Sequence, residues 1–147
     1  MKDATNYILS EFFRVLNGAI SHEGALVKVF ALEQDEADTD NLFIRLYAAH
    51  TTEFNTKTNF GSKVSINLDI VNRLTGGERT EHRVNEVASG IGQLILPTPS
   101  STGLANSTEF QLVNVRSGGP SVNLSDRSNT DLIVRKIITF EVTVNQL

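Results

Sequence analysis

The sequence predicts an α+β domain: an antiparallel or mixed β-sheet with two α-helices packed on one face and a projecting β-hairpin arm. Three observations carry this. In residues 63–71, Val64, Ile66, Leu68 and Ile70 alternate with Ser65, Asn67 and Asp69, the period of a strand with one face on a core. Two segments, near residues 5–16 and 78–96, instead repeat their apolar residues at helical spacing. The order helix, strand, hairpin, helix, two strands lacks the regular strand–helix alternation of a parallel α/β sheet.

The 147 residues fit one domain spanning 1–147. A chain of this size buries about 70% of its unfolded surface, enough for a core without staples. There is no cysteine, hence no disulfide framework and no thiolate site. The opening Met1-Lys2-Asp3-Ala4 lacks the apolar core of a signal peptide, and no apolar run is long enough for a membrane span, so a soluble protein is expected. A net charge of −4 argues against general affinity for nucleic-acid backbones, though not against DNA passing nearby ungripped.

Taking the chain in order, Asp3 or Thr5 can cap a first helix that runs to Leu16. Ile8, Phe12 and Val15, flanked by Leu9, Phe13 and Leu16, give it a wide apolar face, with both phenylalanines read as core. Gly18 suits the left-handed stop. Residues 21–24 read as a turn and residues 26–30 as a short strand. Residues 33–40 then hold five acids in eight: Glu33, Asp35, Glu36, Asp38 and Asp40. They lack the central glycine and closing glutamate of an EF-hand, so a solvated, self-repelling loop is expected.

Leu42, Ile44 and Leu46 alternate with Phe43, Arg45 and Tyr47 in a second strand. The threonine-rich stretch 51–61 follows, a hairpin arm too polar to find order alone. Phe54 and Phe60 are its anchors, either on a neighbouring subunit or folded back on their own domain. A turn at residues 75–77 leads to the helix 78–96, where Gly90 and Gly92 offer close approach to the sheet. Pro97 and Pro99 end it. Residues 110–116 form a strand whose apolar phase shifts, which a bulge near Asn114 explains. Gly118-Gly119-Pro120 starts a turn, and residues 121–130 are polar. Residues 132–144 close the sheet, with Val134, Ile138, Phe140, Val142 and Val144 inward. Ile133 and Ile137 lie exposed on the other side, facing a further subunit.

Catalytic patterns are absent. His22, His50 and His82 share no metal-ligand spacing with one another or with nearby carboxylates. There is no Gly-x-Ser-x-Gly elbow and no phosphate loop. Glu78, Glu81 and Glu86, beside Arg79, His82 and Arg83, read as a solvated helix face rather than an acid–base pair. No enzyme, cofactor or metal is expected.

Residues 42–47, the Glu53-Phe54-Asn55-Thr56-Lys57-Thr58 segment and the run 61–71 resemble the tail terminator (tail completion) proteins of long-tailed bacteriophages, and the order of elements follows that family from Asn6 to Val144. The resemblance implies a homo-oligomeric ring, a hexamer or, as in related neck rings, a dodecamer. It would cap the head-proximal end of the tail tube, touching the tube protein on one side and neck or connector proteins on the other. DNA would pass through its lumen without specific binding. The place would be the virion, after assembly in the host cytoplasm. Interface residues would be Phe54, Thr56, Lys57, Thr58, Phe60, Ile133 and Ile137; the five acids of residues 33–40 would supply lumen charge. Two other readings share the fold: another head–tail connector ring, such as a stopper or neck protein, and a non-viral binding module.

Overall fold

The computed structural model describes residues 1–34, 38, 40–75, 81–127 and 131–147. Helix α1 (Thr5–Leu16) buries Ile8, Phe12 and Leu16, one residue per turn. Asp3 fixes its entry: its Oδ1 accepts the Thr5 backbone N–H at 2.9 Å and the Thr5 hydroxyl at 2.6 Å. Those hydrogen bonds hold the Asp3 carboxyl below the usual carboxylate range. Of the two phenylalanines only Phe12 is core; Phe13 lies one position around the helix and stays 39% exposed. Gly18 takes the left-handed stop, at φ 76°.

The expected strand at residues 26–30 is two pieces. Strands β1 (Ser21–His22) and β2 (Ala25–Leu26) make a small hairpin whose turn residues, Glu23 and Gly24, both have positive φ. That is the backbone sense tight hairpins require. After Val27, β3 (Lys28–Ala31) joins the main sheet parallel to β4 (Leu42–Glu53). The remaining pairings are antiparallel, so the sheet is mixed.

The central strand is β5 (Gly61–Thr75), between β4 and β8 (Asp131–Gln146). Its Val64, Ile66, Leu68 and Ile70 are fully buried. Helices α1 and α2 (Glu81–Ile95) both cover that face. Each such side chain stabilises the fold by about 2 kcal/mol through burial alone. On α2, Val84, Val87, Ile91 and Ile95 complete the core. The expected helix start at Glu78 and the turn at Gly76-Gly77 lie outside the described residues. Gly90 and Gly92 make no close approach, since an added Cβ at either would meet nothing within 4 Å.

The loop after α2 is tied down rather than free. Leu104 is buried, Glu11 accepts the Ala105 N–H at 2.7 Å, and the Tyr7 hydroxyl donates to the Ala105 carbonyl. Strand β6 (Phe110–Ser117) then pairs with β8, its bulge at Val113, between Leu112 and Asn114, as the phase shift demands.

Two expectations fail beyond it. Gly118-Gly119-Pro120 does not reverse the chain. Strand β7 (Val122–Arg127) continues along the same side of β8, in the same direction as β6. From Ser117 to Val122 this edge takes five steps while β8 takes three, from Phe140 to Ile137, so the glycines form a kink in one long edge. The polar stretch 121–130 is therefore mostly strand; residues 128–130 lie outside the described set. All six residues of β7 are exposed, so no burial imprints the alternation that reveals other strands.

Candidate functional site

The helices cover one face of the sheet; the chemistry gathers on the other. Strand parity puts Arg45, Asp69 and Arg135 outward. Asp69 is the direct partner of Arg45 across β4 and β5, and Arg135 stands two residues from its partner on β8, Ile137. Arg45 Nη1 donates to Asp69 Oδ2 at 3.0 Å. Arg135 Nη2 donates to the same oxygen at 2.5 Å, and its Nε to both oxygens at 3.2 Å. Arg45 Nε donates to the Leu32 carbonyl at 2.9 Å, which locks the guanidinium in place. Asp69 is wholly buried on a face that no helix covers, roofed by the two arginines that bind it. The carboxylate beside Arg135 holds that guanidinium's pKa above its ordinary value.

Beside this triad lies a depression of about 550 Å³. Among the described residues, Phe43, Val71 and Ile133 contribute apolar surface, Arg45, Arg73 and Arg135 contribute positive charge, and Glu33, Gln34 and Asp38 also line it. The Arg73 guanidinium lies 5.3 Å from the centroid of the Phe43 ring. Phe30 meets Phe43 edge-on at 6.0 Å between centroids.

The described acids of residues 33–40 are not all the free solvated charges that the sequence led us to expect. Glu33 is exposed. Asp38 has a side chain only 8% exposed, paired with Lys28 Nζ at 2.6 Å and accepting from Gln34 and the Asp40 N–H. The Lys28 contact holds the Asp38 carboxyl below the carboxylate range and raises the Lys28 ammonium. Asp40 lies 3.2 Å from the same ammonium. Asp35 and Glu36 lie outside the described residues.

The hairpin between β4 and β5 closes with Phe54 N–H to Gly61 carbonyl at 2.8 Å and Thr56 N–H to Asn59 carbonyl at 2.9 Å. Thr56 Oγ1 accepts the Asn59 N–H at 3.0 Å. Lys57 and Thr58 sit exposed at the tip. Phe54 and Phe60 are 50% and 47% exposed, so neither folds into the core. Phe54 lies under Lys63 Nζ, 4.9 Å from its ring centroid, and the Phe60 carbonyl accepts the Gln146 N–H. Ile133 and Ile137 are partly buried rather than exposed, and Ile133 lines the depression, some way along the sheet from the hairpin tip.

The sheet has two open edges. On one side β3 covers β4 only from Phe43 to Leu46, which leaves the part from Tyr47 to Glu53 unpaired among the described residues. On the other, no strand pairs with the outer side of β6 and β7 among the described residues, although Ser107 and Asn106 hydrogen-bond to Phe110 and Leu112 at the start of β6. Val122 and Leu124 of β7 are largely exposed there.

The histidines are brought closer than their spacing suggests. The two carboxylate oxygens of Glu86 lie 2.9 Å from His22 Nδ1 and 2.9 Å from His82 Nε2, so this acid has two close partners. His22 is buried, and this bridge ties the β1–β2 hairpin to α2. His50 Nε2 meets Ser65 Oγ at 3.1 Å. Among the described residues no cluster of three His, Cys, Asp or Glu is arranged to hold a metal ion, and no helix is long and apolar enough to cross a membrane. Asn72 is fully buried, and neither of its amide atoms has a partner among the described residues.

Sequence reasoning missed the triad because it read Asp69 as a solvent-side polar residue. The signal available was one acid and two bases at outward positions of three neighbouring strands. No known family model matches the chain, and no curated protein is significantly similar to it.

Proposed function

We propose that this chain is a structural virion subunit that assembles head-to-tail into a ring at the head-proximal end of a bacteriophage tail. There it would end tube polymerisation and join the tail to the neck. The resemblance of residues 42–71 to tail terminators supports the phage assignment. One geometric observation carries the ring. Strand directions make β3 and β4 run opposite to β6 and β7, at opposite ends of the sheet. Copies placed the same way up in a row therefore meet with antiparallel edges, the more stable pairing. A heterologous contact of this kind closes into a ring when its rotation allows. Strand β7 has no lysine, proline or bulge to guard it against edge pairing, and its charges are confined to Asp126 and Arg127 at its end. The half-exposed Phe54 and Phe60 supply an aromatic hairpin tip for the adjoining subunit or the tube.

Electron microscopy of purified particles, with the protein located by a tag, tests this reading. A density ring at the junction of head and tail is expected, absent when Val122→Lys is combined with Phe54→Ser. A protein located elsewhere in the particle, or a double variant incorporated at the normal level, overturns it. In solution, a hexamer of 16.1 kDa subunits would weigh about 97 kDa.

A further inference from the structure

Among the described residues, the depression on the helix-free face has more donors than its acids use. Asp69 is bound to Arg45 and Arg135, and one carboxylate cannot balance two guanidiniums. A guanidinium offers five N–H groups. Arg45 commits one to the Leu32 carbonyl and one to Asp69, and Arg135 commits its Nε and one Nη2 hydrogen to Asp69. The backbone N–H of Arg73 donates to the Asn41 carbonyl, but its guanidinium makes no hydrogen bond or ion pair with any described residue and lies over the face of Phe43. The nearby Asp38 is already spent on Lys28. Glu33, the remaining acid of the lining among the described residues, is exposed, where water and salt weaken its opposition.

We infer that this depression binds an oxyanion, a phosphate or carboxylate group, carried on an apolar body. The oxyanion takes the free N–H groups of Arg45, Arg73 and Arg135, which present planar forks suited to two-oxygen recognition. The body lies on Phe43, Val71 and Ile133. The volume of about 550 Å³ falls within the range of small-molecule sites. Arg45 and Arg135 are held by Asp69 before any ligand arrives, so little ordering remains to be done on binding. The triad's surplus positive charge sits over a fully buried carboxylate, where an added anion is screened less than at open surface. The site is independent of whether copies assemble into a ring.

The test is titration of the full chain with inorganic phosphate and, separately, citrate, against chloride at matched ionic strength. Binding is read by the arginine Nε–H resonances and by thermal melting. Wild type should show saturable shifts at the Arg45, Arg73 and Arg135 resonances and a rising Tm. Arg73→Ala, a change at an exposed side chain, should weaken binding about tenfold. Arg116→Ala, whose arginine pairs with Glu141 outside the depression, should leave it unchanged. A stronger response to phosphate would identify a phosphate-bearing ligand, and a stronger response to citrate a carboxylate-bearing one. Shifts that rise linearly without saturation, or equal affinity in wild type and Arg73→Ala, would overturn the inference. Arg73→Lys, which keeps the charge but loses the fork, should retain only part of the affinity; full retention would also count against it.

Discussion

Replacing Asp69 with alanine tests the organisation of the helix-free face. Asp69 is wholly buried, and its loss leaves two guanidiniums without their anion. Removing one member of a buried ion pair costs roughly 3–5 kcal/mol. Here the side chains of Arg45 and Arg135 are 28% and 34% exposed, so each can turn partly toward water. That relief lowers the expected loss to about 2–3 kcal/mol. For a domain near 150 residues this is a fall in Tm of roughly 6–9 °C, at about 3 °C per kcal/mol. Chemical denaturation and melting should agree on it. Arg45→Ala should cost less than Asp69→Ala, because Arg135 remains as a partner. In a double-mutant cycle the Asp69–Arg135 coupling should exceed about 1 kcal/mol. A loss below about 1 kcal/mol for Asp69→Ala, with no coupling, would refute the argument and make the triad an incidental surface contact.

Leu68→Ala, on the opposite face of the same strand, should cost about 2–5 kcal/mol by denaturation; a loss under about 1 kcal/mol would mean the two faces of β5 are exchanged. Gly61→Ala would place a Cβ 2.4 Å from the Phe54 carbonyl oxygen, so the base of the hairpin must open. Faster amide exchange at Phe54 and Gln146 should report it, and unchanged exchange at both would exclude it. The carboxyls of Asp3, Glu11 and Asp38 all have lowered pKa values, held respectively by the Thr5 hydroxyl, the Arg14 guanidinium and the Lys28 ammonium. Groups shifted in this direction stabilise the fold above the unfolded carboxylate pKa, near 4, and lose that contribution as pH falls through the folded value. Melting temperature should therefore hold steady above about pH 5 and drop below about pH 4, with a shallower drop in Asp38→Asn.

The elements that could be read in the sequence are those with one buried and one open face. Alternation at residues 64–70 and helical spacing at residues 84–95 are imprints of that asymmetry, and the structure buries the residues they mark. The bulge at Val113 was legible for the same reason, as a change of phase. Strand β7 was not legible because both of its faces meet solvent, whereas β3 was read in part, as the end of the strand expected at residues 26–30, with its parallel pairing to β4 unseen. Phe13 was misread because adjacency in sequence says nothing about angular position on a helix, where neighbours stand about 100° apart.

The triad was hidden by the pattern that revealed the strand. Alternation assigns each residue of β5 to a face and treats the polar face as solvent, although a polar residue can be buried there by its neighbours' long side chains. Asp69 is covered in that way by arginines from both adjoining strands. Half of the arrangement was nearer the reach of sequence reasoning: β4 and β5 are joined by a hairpin whose turn sets their register, which a bulge between Ala48 and His50 then shifts by one to bring Arg45 opposite Asp69. The other half was not. Arg135 lies 66 positions from Asp69, and no turn links β5 to β8. Their register is set by the match of apolar faces under the two helices, with Leu68 opposite Ile138 and Ile66 opposite Phe140. The register that packs the core is thus the one that sets Arg135 beside Asp69 on the reverse side. A one-residue slip of β8 would both expose the core face and move Arg135 off the open face. The fold and the candidate site therefore depend on a single alignment, and Leu68→Ala and Asp69→Ala probe its two sides.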